Sequence, residues 1–180
     1  FGGLTYGTYA YGVARPDTGT YGPCDTWSLD TWGEYALGCA TSDGKIYQWA
    51  NSTAAVAAVL SNAPTSVNAI VVTPERFVFA LGAGGVGNKV SWCDQENNNL
   101  WAAAATNQAG DFTLNSPGNL MIGQAMRGET LLITDSDAHV ARYAGPPFVF
   151  GFTKVGDGCG AISNNACVIA NDSAFWMSNH

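Results

Sequence analysis

Four times along the chain an apolar run meets a turn signal and is answered by a second run that ends near an aromatic residue. Tyr35-Ala-Leu-Gly-Cys-Ala leads through Thr41-Ser-Asp43-Gly44 to Lys45-Ile-Tyr-Gln-Trp49, and Asp-Gly between alternating segments is a strong hairpin signal. Arg76-Phe-Val-Phe-Ala-Leu81 is followed by a glycine-rich stretch and then Lys89-Val-Ser-Trp92. Thr130-Leu-Leu-Ile-Thr134 passes through Asp135-Ser-Asp137 to Ala138-His-Val-Ala-Arg-Tyr143, and Ala166-Cys-Val-Ile-Ala170 through Asn171-Asp172 to Ser173-Ala-Phe-Trp-Met177. With Asp43, Gly84, Ser136 and Asn171 as turn centres, the spacings are 41, 52 and 35 residues, the range of β-propeller blades. The predicted fold class is therefore all-β, built of antiparallel propeller-like repeats.

Further strand candidates fall between the hairpins at Val56 to Leu60, Ala69 to Val72, Phe112 to Leu114 and Val149 to Thr153, which brings each repeat to about four strands. The alanine-rich stretch Ala50 to Ala63 has helix propensity, but Val56 and Val59 suit a strand, and strand is the expectation. Hydrophobic residues make up 47% and charged residues 12% of the chain, a balance that excludes disorder as the main state. The 22 glycines fit many tight turns between short strands.

Residues 1–23, with Tyr6, Tyr9, Tyr11 and Tyr21 among glycines, are expected to form an ordered arm, and residues 24–180 the repeats, with hairpins near 35–49, 76–92, 130–143 and 166–177. A start at Phe1 and a finish on Phe175-Trp-Met-Ser-Asn-His180 suggest an incomplete fragment of a larger propeller. The terminal apolar run would leave a sheet face and a strand edge to be covered by neighbouring chains or by the missing remainder of this one. Five cysteines, Cys24, Cys39, Cys93, Cys159 and Cys167, show no Cys-x-x-Cys spacing, so free thiols are expected rather than a disulfide framework or a zinc knuckle.

Few patterns point to chemistry. Gly82-Ala-Gly84-Gly-Val-Gly87 matches G-x-G-x-x-G, but the dinucleotide fingerprint needs those glycines to open a helix facing the pyrophosphate. Here Asn88-Lys-Val-Ser-Trp-Cys-Asp94 alternates with period two, so a glycine-rich β connection without nucleotide is expected. The only histidines are His139 and His180, too few for a three-histidine metal site. Asp135 and Asp137 beside His139 could orient an imidazole or hold calcium, but the simpler expectation is acidic residues in a turn that accepts their side-chain-to-backbone bonds.

Asp25, Asp30, Glu34, Asp94, Glu96 and Asp111 are available for paired-carboxylate chemistry, and nothing in the sequence selects two of them. Asn51-Ser-Thr53 and Asn171-Asp-Ser173 match the glycosylation pattern, which short sequences often do by chance. Trp27, Trp32, Trp49, Trp92, Trp101 and Trp176 fall at or near strand ends, where aromatics usually fill the space between sheets. No catalytic, cofactor or metal residue is therefore assigned. Seven Lys and Arg against fourteen Asp and Glu, with no basic block, argue against a phosphate-tracking surface. No apolar run reaches the ~18 residues of a membrane-spanning helix.

Trp27-Ser-Leu-Asp-Thr-Trp-Gly-Glu34 and Asp43-Gly-Lys-Ile-Tyr-Gln-Trp49 resemble the β-propeller hub or nozzle proteins of short-tailed bacteriophage tails. The likeness continues through Asn62-Ala-Pro-Thr65, Val72-Thr-Pro-Glu-Arg76, Val90-Ser-Trp-Cys-Asp-Gln-Glu96, Trp101, Thr134-Asp135 and Tyr143-Ala-Gly-Pro-Pro-Phe148 with Gly151-Phe152. It closes with Gly158-Cys-Gly-Ala-Ile162 and Phe175-Trp-Met-Ser178, so that it covers roughly Phe1 to Ser178.

The resemblance implies a non-enzymatic virion protein of the phage tail: a homo-oligomeric ring below the portal that extends the DNA channel and helps retain packaged DNA. Its implied partners are the portal or adaptor and other tail proteins, with transient passage of DNA, no specific DNA binding, no membrane and no cofactor. An acidic wall suits a conduit, because a wall that attracted phosphates would hold the DNA it must release. The competing expectations are a receptor- or glycan-binding propeller module that uses exposed tryptophans, and a propeller hydrolase with convergent carboxylates.

Overall fold

The computed structural model describes residues 25–178, and the predicted arm at 1–23, Cys24 and His180 lie outside them. Fourteen strands follow one another: β1 (Trp27–Trp32), β2 (Tyr35–Ala40), β3 (Ile46–Trp49), β4 (Ala58–Val59), β5 (Ala69–Val72), β6 (Val78–Leu81), β7 (Lys89–Trp92), β8 (Gly110–Thr113), β9 (Leu120–Met126), β10 (Glu129–Thr134), β11 (Asp137–Gly145), β12 (Val149–Asp157), β13 (Cys167–Ala170) and β14 (Ser173–Trp176). They form three four-stranded antiparallel sheets, β1 to β4, β5 to β8 and β9 to β12, each in sequential order, and a β13–β14 hairpin. The chain is all-β, in propeller-like repeats; a single 3₁₀ turn at Ala83–Gly85 is the only helical element among the described residues.

All four predicted hairpins are present, as β2–β3, β6–β7, β10–β11 and β13–β14. The turn residues explain why. Gly44 at the first hairpin has φ +61°, and a Cβ there would lie 2.6 Å from the Cα of Ser66. At the fourth, Asn171 and Asp172 both have positive φ between the paired Ala170 and Ser173, the pattern of a two-residue I′ turn.

The fill-in strands differ in extent from expectation. Ala69–Val72 matches as predicted, whereas Val56 to Leu60 contracts to Ala58–Val59. Residues 50–57 form turns and bends instead, Asn51 takes a left-handed φ of 53°, and Val56 is exposed. Strand β8 begins at Gly110 and ends before Leu114, and β12 runs past Thr153 to Asp157.

The sheets stack face to face, and period-2 alternation divides their side chains between successive interfaces. Trp32, Leu37, Cys39 and Ile46 of the first sheet meet Ile70, Val78 and Ala80 of the second. The alternate residues of the second sheet, Val71, Phe79, Leu81 and Trp92, meet Leu120, Leu132, Ala141 and Phe150 of the third. The third sheet in turn places Ile122, Leu131, Ile133 and Val140 against Cys167, Ala174 and Trp176 of the hairpin. Burial on both faces is why β5, β6 and β10 read as nearly continuous apolar runs.

The first strands of the sheets adjoin: β5 packs against both β1 and β9, and β9 meets β13. Side chains extend this contact as hydrogen bonds. The Ser28 hydroxyl donates to the Ile70 carbonyl (3.0 Å) and accepts from the Ile70 N–H (3.1 Å), while Asp30 Oδ2 accepts from the Val72 N–H at 2.7 Å. Gly123 of β9 allows close approach of the third sheet, since a Cβ there would press on Val71 of β5 at 2.5 Å.

Candidate functional site

Thr26, Asn68 and Asn119 each stand immediately before the first strand of a sheet, and each is tied to the end of the second strand. The Thr41 N–H donates to the Thr26 carbonyl (3.0 Å), the Asn68 N–H to the Leu81 carbonyl (2.8 Å), and the Asp135 N–H to the Asn119 carbonyl (3.0 Å). These equivalent positions line one cavity of about 480 Å³, together with Gly82, Gly85, Gly87 and the segment Ile162 to Asn164. That segment brings the chain back to its first sheet, where Asn164 Nδ2 donates to Thr26 Oγ1 at 3.0 Å. The side chains around the cavity are amides, hydroxyls, Met121 and Ile162, with no charged group among them.

The G-x-G-x-x-G stretch belongs to this wall. It connects β6 to β7, and the strand that follows it is β7, not a helix. Gly82, Gly84 and Gly85 have φ between +70° and +78°. At Gly82 and Gly87 a Cβ would collide with the side chains of Asn68 and Asn119, respectively. Turn conformation and the space taken by these two amides account for the glycines.

Asp137 and His139, at the start of β11, are both buried and meet at 3.2 Å between Asp137 Oδ1 and His139 Nε2. Ser116 and Thr134 donate hydroxyl hydrogen bonds to the same Oδ1, at 2.6 and 2.5 Å, and Lys154 Nζ forms an ion pair with Oδ2 at 3.0 Å. Burial pushes the Asp137 carboxyl up, but the hydrogen bonds from Ser116, Thr134 and Lys154, with His139 beside it, more than reverse this and hold it at about 2. Ser116 donates to the carboxylate and not to the imidazole, so the arrangement is not a nucleophile–base pair. Asp135 points elsewhere, accepting from the backbone N–H of Asn119 at 3.0 Å.

The other carboxylates are dispersed. Asp30 holds β5, Asp94 accepts from the Gln108 N–H (2.8 Å), Glu96 pairs with Arg76 (3.1 Å) and Asp111 with Lys89 (3.0 Å). Of the six, Asp94 and Glu96 line one cavity, beside Pro146 and Pro147. Asp25 and Glu34 are exposed. Among the described residues no group of three or more His, Cys, Asp or Glu is placed to hold a metal ion. Cys39, Cys93, Cys159 and Cys167 are free thiols. Both glycosylation-pattern asparagines, Asn51 and Asn171, lie in exposed turns.

The tryptophans divide. Trp32, Trp92 and Trp101 are buried between sheets, as expected, and Trp176 packs on the third sheet. Trp27 and Trp49 instead line an open apolar groove on the face of the first sheet turned away from the second. Its floor is Gly38, with Leu29 and Trp27 folded over it at 3.1 and 3.4 Å from where a Cβ would stand, and Tyr47 and Val56 complete the walls. Two of the three aromatics have their polar atom engaged: Trp49 Nε1 donates to the carbonyls of Ser52 and Ala55, and the Tyr47 hydroxyl to Asp43 Oδ2.

Comparison with protein-family models and with curated proteins finds no match to the chain. Sequence reasoning missed two features of the site, the recurrent Asn68 and Asn119 and the Ser116–Asp137–Lys154 node. Aligning the residue before the first strand of each repeat would have exposed the former.

Proposed function

We propose that the chain is a non-enzymatic structural subunit of a ring assembly and, on the sequence resemblance, a hub or nozzle component of a short-tailed phage tail that contributes to the DNA-ejection channel. The observation that carries the structural role is the pair of exposed apolar faces among the described residues, one carrying Leu29 and Trp27 and the other Val168, Phe175 and Met177. Faces of this kind serve association, because burying them costs no desolvated charge. The dispersed and individually engaged carboxylates fit a scaffold better than a hydrolase. The uncharged lining of the cavity at the strand starts is consistent with a subunit that does not grip DNA.

Cryo-electron microscopy of purified phage particles that carry the gene tests this reading. The expected result is density for these sheets in a ring coaxial with the portal. Particles that lack the chain, or place it away from the tail axis, overturn it. The aromatic groove of Trp27, Tyr47 and Trp49 supports a second reading, a glycan-binding module. Its few free polar groups weigh against that, and a glycan array decides between the two.

A further inference from the structure

We propose that the peptide bond between Asp157 and Gly158 is a site of spontaneous covalent modification, at which the aspartate rearranges to isoaspartate. The site stands apart from the assembly reading above. An Asp-Gly pair is prone to this change because glycine puts no side chain beside the attacking nitrogen and lets the backbone turn toward the carboxyl group. The sequence holds two such pairs, Asp43-Gly44 and Asp157-Gly158, and no Asn-Gly. The fold treats the two oppositely.

Gly44 is buried, the backbone of Ser66 and Val67 closes over it, and its N–H donates to the Ala40 carbonyl at 2.9 Å. Both oxygens of the Asp43 carboxylate are held, one by the Lys45 N–H (3.1 Å) and the other by the Tyr47 hydroxyl (2.5 Å). Asp157, by contrast, is the last residue of β12, with its side chain 81% exposed. Gly158 follows it at φ +63°, exposed, and apart from its chain neighbours no atom lies within 4 Å of where a Cβ would stand. Among the described residues no hydrogen bond holds the Gly158 N–H. The Asp157 carboxylate pairs with Lys154, which it shares with Asp137, and an exposed ion pair restrains its partners only weakly.

The chemistry needs no oxidant, metal or enzyme. The Gly158 nitrogen attacks Asp157 Cγ, the N–Cγ bond forms, the nitrogen gives up its proton, and a carboxyl oxygen leaves as water to give a cyclic imide. Water then opens the ring. Opening at the Cγ carbonyl restores aspartate, whereas opening at the α-carbonyl leaves the main chain running through the side-chain methylene, at unchanged mass. The added length enters a short connection fixed at both ends. On one side is β12; on the other, Gly160 lies against the backbone of Asp135 and Ser136, and the Ala161 N–H reaches the Thr134 carbonyl at 2.9 Å.

The test ages the 180-residue chain in mildly acidic buffer, folded and in guanidinium chloride, and locates isoaspartate by electron-transfer fragmentation of digests. In the folded chain isoaspartate should accumulate at 157 at least about tenfold faster than at 43, because Asp43-Gly44 must first give up hydrogen bonds that Asp157-Gly158 does not make. In denaturant the two positions should react at comparable rates. Asp157→Glu keeps a carboxylate beside Lys154 but can close only a larger and slower ring, so it should abolish the signal at 157 and leave Asp43 unchanged.

Equal rates at the two positions in the folded chain overturn the proposal. So does a lead of Asp157 that persists undiminished in denaturant, which assigns the difference to neighbouring sequence and not to the fold. An isomer signal in the same peptide that survives Asp157→Glu also overturns it, since the rearrangement then lies at another residue.

Discussion

Asn164 donates a side-chain hydrogen bond to Thr26 across 138 positions of sequence, joining the segment after the third sheet to the residue that opens the first. Neither is fully buried, so the contact belongs to the class of neutral hydrogen bonds worth about 1 kcal/mol. Asn164→Ala and Thr26→Val should each cost about that much. A double-mutant cycle should return a coupling of roughly 0.5 to 1 kcal/mol, and amide exchange at Ala161 and Ile162 should accelerate in both variants. Additive effects without faster exchange would show that the bond does not tie the segment to the first sheet.

Phe150 is the junction of the core between the second and third sheets. Its ring lies 5.0 Å from Phe77, 4.8 Å from Phe79 and 5.4 Å from Trp92, all edge to face. Two residues away, Phe148 is 81% exposed. Phe150→Ala should therefore cost about 3 to 5 kcal/mol by urea unfolding, while Phe148→Ala should stay within about 0.5 kcal/mol. Similar costs at the two positions would mean that the sheets do not stack through Phe150.

Two glycines separate close approach from turn conformation. At Gly160 a Cβ would run into the backbone of Asp135 and Ser136, where the Ala161 N–H also reaches the Thr134 carbonyl at 2.9 Å. Gly84 has φ +70° with open space around it. Gly160→Ala should thus force apart the chain segments on either side and cost several times more than Gly84→Ala, for which left-handed strain alone predicts about 1 kcal/mol. Thermal melts of the two variants check the order.

How much of this was legible beforehand follows from the range of each signal. Apolar alternation and turn residues act within a few positions, and they placed Ala69–Val72 and the Asn171-Asp172 turn correctly. The same local signal overextended β4, because Val56 lies between the turn at residues 53–54 and the start of pairing at Ala58, outside the strand. Asp137 was visible as a turn acid, but its partners Ser116 and Lys154 come from the approach to β9 and from β12, and no periodicity couples those positions. Trp27 and Trp32 look alike in sequence; an odd offset on one strand puts the first on a free face and the second in the core. The groove was unreadable for that reason.

Thiol chemistry should follow burial. Burial pushes Cys39 up to about 11, with Asp43 adding to it, and Cys93 up to about 12, so neither offers thiolate near neutral pH. Cys159 and Cys167 are only partly covered. Among these four, native-state alkylation read by mass spectrometry should label Cys159 and Cys167 first, and Cys39 and Cys93 only at the rate of unfolding. Rapid labelling of Cys93 in the native protein would contradict its placement behind β7.

Asp137 should dominate the acid limb of stability. Its folded value of about 2 lies below the ordinary 3.8, so the folded state binds the proton less readily than the unfolded chain does. The sign follows: the stabilisation, about 2 kcal/mol from a shift of this size, is fully present above the unfolded value and is lost as pH falls from near 4 through about 2. Asp137→Asn keeps the shape but gives Lys154, Ser116 and Thr134 a neutral partner at a buried position. That variant should lose about 2 kcal/mol or more at neutral pH and show a flatter dependence between about pH 4 and pH 2. Urea unfolding of both proteins across that interval measures the two slopes. Equal slopes would assign the acid sensitivity to other carboxylates and leave the Asp137 node as a purely geometric part of the third sheet.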